Sequence, residues 1–289
     1  IYLDGNATTK VLPEAAEAAV NAMELSFGNP SSSHITGLKA KHIMETTRNL
    51  ANKVIGAGNG TIIFTSGATE GIQTAVLSSL VEAKKAGRVG KDYVILYGAT
   101  EHKAVPNTII HWNELLGVNA EVLAIPVDSK GILDKEFVAK YLSRAILVCT
   151  MAVNNETGVY QDLTELNELF DNGIHQARWM VDCVQGLGKL ELDLQSLNID
   201  YAPFSGHKLY APKGIGWLYI KEGSPFTPVI AGGGQEGGLR SGTENTPGLA
   251  SLQVILEALD TNNENIFRSS VELTKFRNQM ADALHQAFD

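Results

Sequence analysis

Cysteine is scarce in this chain: only Cys149 and Cys183 occur among 289 residues. Two thiols cannot supply a disulfide framework for a chain of this length, and they point to a reducing compartment. Long apolar runs are missing too. No stretch approaches the roughly 18 residues that would cross a bilayer, and the first residues carry no signal-peptide pattern. The expected location is therefore the cytoplasm, or an organelle matrix. Basic residues are outnumbered, with 23 Lys and Arg against 32 Asp and Glu and a net charge of −9. That balance argues against a broad nucleic-acid surface and leaves room only for a local basic patch. The histidines are scattered without metal-ligand spacing, and no Ser-His-Asp arrangement is readable. The glycine-rich run from Gly232 to Thr243 is not a G-x-G-x-x-G between a strand and a helix, so a dinucleotide site is rejected.

What is present is an ordinary globular composition, 44% hydrophobic and 19% charged, with 28 glycines. It is enough for one large domain with a smaller appendage. Periodicity predicts a short strand at 1–9 running into a polar turn, then helices opening at Pro13 and over 38–55. Strands at 61–65, 93–97, 120–125, 145–151, 179–182, 199–204 and 215–220 alternate with helices at 71–85, 102–116, 134–142 and 163–170. Several strands are continuous apolar runs, as in a sheet covered on both faces. The expectation is an α/β layered fold with a largely parallel sheet. From Pro247 onward two helices follow, separated by residues 260–263. The last helical pattern reaches Asp289 without a cap, so a further C-terminal portion is expected.

Chemistry in such sheets collects where strands end and helices begin. After one strand comes Ser205-Gly206-His207-Lys208, followed by a turn and a second strand. A partly desolvated lysine there could attack a carbonyl, although a surface lysine also fits. Ser66-Gly67-Ala68-Thr69 leads from a strand into a helix and offers backbone N–H groups to a phosphate; a plain helix cap by Ser66 or Thr69 fits as well. Asp182 closes a buried strand and needs a cationic partner, such as a ring nitrogen, or else caps the next turn. Gln185, three residues on, could donate to a ring oxygen. Asn154-Asn155 before Gly158 is either a polar site or ordinary turn chemistry. His102, at a helix start, could face a flat ligand, act as an acid–base group or be structural. The set of amine, phosphate cradle and ring-facing aspartate matches the protein's share of pyridoxal phosphate chemistry.

The motifs Tyr2-Leu3-Asp4, Ala7-Thr8-Thr9, Phe27 to Ser32, Phe64 to Glu70, Glu101-His102-Lys103, Asn154 to Gly158, Ser205 to Lys208 and Arg240 to Asn245 resemble, in order, the cysteine desulfurases of the NifS/IscS type. These belong to the class V aminotransferase group of fold-type I pyridoxal phosphate enzymes. The resemblance implies a large cofactor-binding domain at 14–249, with 1–13 and 250–289 forming part of a smaller domain truncated at the C-terminus. It implies that Lys208 carries pyridoxal 5'-phosphate and moves the substrate α-proton. Ala68, Thr69, Ser205 and His207 would bind the phosphate, Asp182 the pyridinium nitrogen, and Asn155 and Gln185 the ring hydroxyl. His102 would stack on the ring and shuttle protons. Thr243 would reach the phosphate site of the neighbouring subunit, since such enzymes are homodimers with interface sites.

The implied reaction takes sulfur from L-cysteine, leaving L-alanine and an enzyme persulfide that feeds an Fe-S cluster scaffold or another sulfur-acceptor protein. The sulfur-accepting cysteine and the substrate-carboxylate arginine are expected beyond Asp289; neither Cys149 nor Cys183 is assigned that role. The chain also departs from the pattern at Glu236-Gly237-Gly238, where an arginine is often found. The alternatives are a selenocysteine lyase, another class V relative, or an idle scaffold of the same fold. Intact Lys208, Asp182 and His102 argue against the scaffold.

Overall fold

The computed structural model describes residues 2–171 and 176–288. Its strands are β1 (Thr61–Thr65), β2 (Val94–Gly98), β3 (Glu121–Ile125), β4 (Ala145–Met151), β5 (Arg178–Asp182), β6 (Tyr201–Ser205) and β7 (Gly216–Ile220). They form one sheet in the order β1-β7-β6-β5-β4-β2-β3. All pairings from β3 to β6 are parallel, whereas β7 runs antiparallel to both β6 and β1. The chain thus builds the expected mixed, mostly parallel sheet.

The unbroken apolar runs have a simple cause. Successive strand residues point to opposite faces, and each face meets its own core. Phe64, Val181, Phe204 and Trp217 enter one core; Ile63, Met180, Tyr201 and Leu218 enter the other. On the second face lie α3 (Ala68–Lys85) and α4 (Ala104–Leu115), burying Ile72, Val76, Leu80, Val105 and Ile109. The remaining helices are α1 (Pro13–Leu25), α2 (Ile35–Val54), α5 (Lys135–Tyr141), α6 (Leu163–Asn167), α7 (Thr246–Asp260) and α8 (Ser270–Phe288). α7 sends Leu249, Leu252, Ile255 and Leu256 into the first core and packs on α1 and α2. α8 buries none of its side chains. Among the described residues, no helix is long and apolar enough to cross a membrane.

Most element ends agree with the periodicity to within two residues, the usual spread for frayed termini. Five differences stand out. No strand forms over residues 2–9, and Ile1 lies outside the described residues. The backbone there bonds instead to the irregular loop after β6: Thr9 N–H donates to the His207 carbonyl (3.0 Å) and Leu12 N–H to that of Tyr210 (3.1 Å). α2 starts at Ile35, three residues earlier than read, because His34 Nδ1 accepts the Gly37 N–H (3.3 Å). α3 starts at Ala68, also three residues early, so Ala68 and Thr69 belong to its first turn. α6 stops at Asn167, whose side chain accepts the Asn198 N–H (2.6 Å) and donates to Asp171 (3.2 Å). The break between α7 and α8 extends to residue 269.

These two helices should respond oppositely to truncation. Leu252→Ala, at a fully buried position, should cost about 2–5 kcal/mol in urea unfolding. Val271→Ala on α8, at a side chain 77% exposed, should stay within about 0.5 kcal/mol.

Candidate active site

In the sheet, β2 lies between β3 and β4, so the connections reverse direction there, and ligands bind at such reversals beyond the strand C-termini. The segments leaving β1, β2, β4, β5 and β6 all open onto one cavity of about 1050 Å³. Every site residue read from the sequence lines it, apart from Thr243.

β1 leads into an anion cradle. The N-cap of α3 is Gly67, at φ 152°, with no side-chain cap. Neither Ser66 nor Thr69 caps the helix, so the capping alternative is not what forms. The Ala68 and Thr69 amides have no acceptor among the described residues. Free first-turn amides at the positive end of a helix attract an anion. Glycine is needed twice for this shape. Gly67 has a backbone that side chains rarely adopt. A Cβ on Gly216 would stand 2.4 Å from the Phe204 oxygen and 2.8 Å from Gly67 Cα. The Ser205 hydroxyl, at the end of β6, has no protein partner among the described residues and lines the cradle. His207 Nδ1 lies 3.1 Å from Thr8 Oγ1; burial, then the Lys208 and Lys213 charges, lowers its pKa.

β5 delivers Asp182, 4% exposed. One carboxylate oxygen accepts the Val184 N–H (2.9 Å); among the described residues no protein group donates to the other. Burial raises its pKa, against the pull of that N–H and of His102 and Lys208. Lys208, in the short 3-10 turn after β6, donates to the carbonyls of Asn6 (2.5 Å) and Ala7 (2.8 Å). Burial lowers its pKa, with Asp182 and Asp4 acting the other way. A lysine so disposed reaches its neutral, nucleophilic form more readily than a solvated one.

The two adjacent asparagines separate clearly. Asn154 is spent on the turn: its oxygen accepts the N–H groups of Glu156 (2.9 Å) and Thr157 (2.8 Å), and its amide donates to the Thr100 carbonyl (2.9 Å). Asn155 faces the cavity. Gln185 donates to the Asn6 carbonyl (3.0 Å). His102 precedes α4, where its Nδ1 accepts the Ala104 N–H (3.2 Å), leaving Nε2 available to a ligand. Together these groups can hold an anion at one end, a flat polar ring in the middle and a carbonyl carbon at the lysine.

Thr243 is exposed on the glycine-rich loop, away from the cavity. That loop is tied to the cradle through Arg240, which donates to both Glu70 oxygens (2.9 and 3.3 Å), while Glu70 also accepts the Ser66 N–H (2.7 Å). Cys149 and Cys183 are both fully buried. Burial first, then a neighbouring carboxylate, pushes both thiols well above their ordinary value, so neither forms a thiolate near neutrality.

Two residues escaped the sequence reading as site groups. Asn6 joins Lys208, Gln185 and the Asn155 carbonyl through its backbone and side chain. Glu101, seen only as part of a motif, has a buried oxygen without a partner among the described residues. Burial, then the charge of Asp182, raises its pKa well above 4.5, against a backbone hydrogen bond from Met151. The adjacency to His102 was the one signal for Glu101; for Asn6 there was none. A carboxyl with a raised folded-state pKa makes folding take up a proton above pH 4.5, so stability falls as pH rises. Glu101→Gln should remove that slope. The urea midpoint of the variant relative to the parent should therefore rise between pH 5 and pH 8, and a constant difference would contradict the assignment.

A family profile described as "Aminotransferase class-V" matches residues 1–286. The chain is 40% identical over 261 residues to "Cysteine desulfurase IscS" of Rickettsia prowazekii (strain Madrid E), an alignment covering 89% of this chain. The chain spans 61% of that relative's length. Among solved structures it is similar to a "NIFS-LIKE PROTEIN", with a TM-score of 0.80 and 36% identity over 90% of this chain and 71% of the other. It is likewise similar to "SspA in complex with cysteine", with a TM-score of 0.79 and 31% identity over 89% and 72%. With a profile spanning nearly its full length and a sheet whose strand exits meet in one cavity, the chain belongs to the class V aminotransferase family.

Proposed function

We propose that this chain carries the pyridoxal phosphate site of a cysteine desulfurase, acting on L-cysteine to give L-alanine and passing the sulfur to an acceptor or scaffold protein. One observation carries the reading: a single cavity joins the uncapped start of α3, the buried Asp182 carboxylate and an amine of lowered proton affinity at Lys208. These groups suit the phosphate, ring nitrogen and aldehyde of the cofactor respectively. The likeness to a relative named cysteine desulfurase and to a structure described as a cysteine complex supports the substrate.

Bound there, pyridoxal phosphate supplies the electron sink that the α-carbon of an amino acid otherwise lacks. The chain's residues do the rest. The Ala68 and Thr69 amides, Ser205 and His207 hold the phosphate, and Asp182 keeps a proton on the ring nitrogen. Asn155 and Gln185 hydrogen-bond the ring oxygen, and His102 covers the ring and relays protons. Lys208 would hold the aldehyde carbon and supply the base for the substrate α-proton. Thr243 completes the phosphate site of a second copy in a homodimer, a role supported by its exposure and by the Arg240–Glu70 tether of its loop. Neither Cys149 nor Cys183 takes the sulfur, because burial keeps both protonated. The same reading assigns 14–249 to the cofactor domain and 1–13 with 250–289 to a smaller one, supported by the exposed α8. It also sets the reaction in the cytoplasm or an organelle matrix.

Purified protein incubated with pyridoxal phosphate should gain a visible absorbance band, and borohydride should bleach it while labelling Lys208. Lys208→Ala should abolish the band and cut alanine and sulfide release from L-cysteine by about 10²–10⁴-fold. A colourless parent, or a variant that keeps both band and activity, would sink the proposal. Selenide release from L-selenocysteine in the same assay distinguishes a lyase of that substrate.

A further inference from the structure

Gln185 is one of the groups proposed to meet the cofactor ring, and an amide can do so in either of two orientations related by a flip. Two groups select one of them here: the Asn6 carbonyl, which accepts the amide NH₂, and a second lysine, which faces the amide oxygen. After β5 the chain makes consecutive tight turns: Gly186 N–H donates to the Cys183 carbonyl (3.0 Å) and Lys189 N–H to that of Gly186 (3.0 Å). Between them Gly188 adopts φ 76°, and a Cβ there would stand 3.1 Å from the Phe267 ring. These turns fold Lys189 back over its own segment, and its Nζ donates to Gln185 Oε1 (2.7 Å).

An ammonium has donors and no acceptor, so it can face only the oxygen of the amide. The opposite edge of Gln185, its NH₂, is thereby turned to the Asn6 carbonyl (3.0 Å) and the cavity. That same carbonyl accepts Lys208 Nζ (2.5 Å). Lys189, Gln185, Asn6 and Lys208 therefore form one connected path of hydrogen bonds. Among the described residues Lys189 has no carboxylate within ion-pair distance. Holding a half-buried cation without a counter-charge carries a desolvation cost. Burial, then the charge of Lys208, lowers its pKa to about 8, which matches that environment.

We propose that Lys189 is a positioning residue: its ammonium locks the Gln185 amide with the N–H edge toward the cavity, presenting a donor to an acidic oxygen on the bound cofactor ring. The inference rests on the proposed function and deepens it. Lys189 touches neither substrate nor cofactor; it acts through Gln185.

A double-mutant cycle on the full chain tests this, read by the pyridoxal phosphate affinity of cofactor-stripped protein and by the position of the visible band. Lys189→Met should weaken cofactor binding about tenfold and shift the band. In a Gln185→Ala background the same substitution should change neither. Lys189→Arg, which keeps a cationic donor, should recover part of the loss. A merely structural lysine would give the same loss in both backgrounds, and that result, or no loss in either, overturns this proposal alone. A parent chain that takes up no pyridoxal phosphate overturns both this and the function proposed above.

Discussion

Asp182 carries its carboxylate at the end of a buried strand with, among the described residues, a single backbone donor and one oxygen left open to the cavity. Taking such a charge from water is expensive unless cations answer it, and the surroundings of this residue are arranged accordingly. His102 and Lys208 both favour its charged form, while Glu101 behind it is driven toward neutrality rather than adding a second charge. Two carboxyls in one dry region cannot both ionise cheaply. The structure therefore separates them into one with an oxygen open to the cavity and one driven toward its protonated form.

Lys208 answers the same constraint from the other side. Its amine is partly desolvated, and its hydrogen bonds go to two neutral carbonyls rather than to a carboxylate. Those carbonyls belong to residues 6 and 7, so the N-terminal segment works as a strap laid over the lysine loop. The strap costs the chain a strand, because its partner is a 3-10 turn with no ladder to offer. What it provides is a fixed, uncharged acceptor that adds no negative charge beside the amine.

The cradle at the start of α3 depends on closeness more than on charge. Gly67 and Gly216 let β7 approach the turn to a distance no side chain would permit. Without a side-chain cap the helix keeps two amides free for an anion. Glu70, which could have opposed that anion, is instead neutralised by Arg240 from the glycine-rich loop. The loop and the cradle are thus joined by an ion pair, and the exposed Thr243 is held three residues from the anchor.

Much of this was legible in one dimension. Continuous apolar runs, spaced by helical patterns, announced a covered, mostly parallel sheet, and polar residues just past each run marked Ser66 to Thr69, His102, Asp182 and Ser205 to Lys208, because a strand's exit and its first loop residues are neighbours in sequence. Which of Asn154 and Asn155 faces the cavity was not legible, since both occupy the same turn and only its closure consumes one of them. Nor could the sequence disclose Asn6 over Lys208, a contact across 202 residues, or the unpartnered oxygen of Glu101. Residue types and strand exits are local properties, written within a few positions of one another. Convergence, desolvation and the choice of hydrogen-bond partner belong to surfaces that meet only after the sheet has assembled, so the tertiary structure alone decided them.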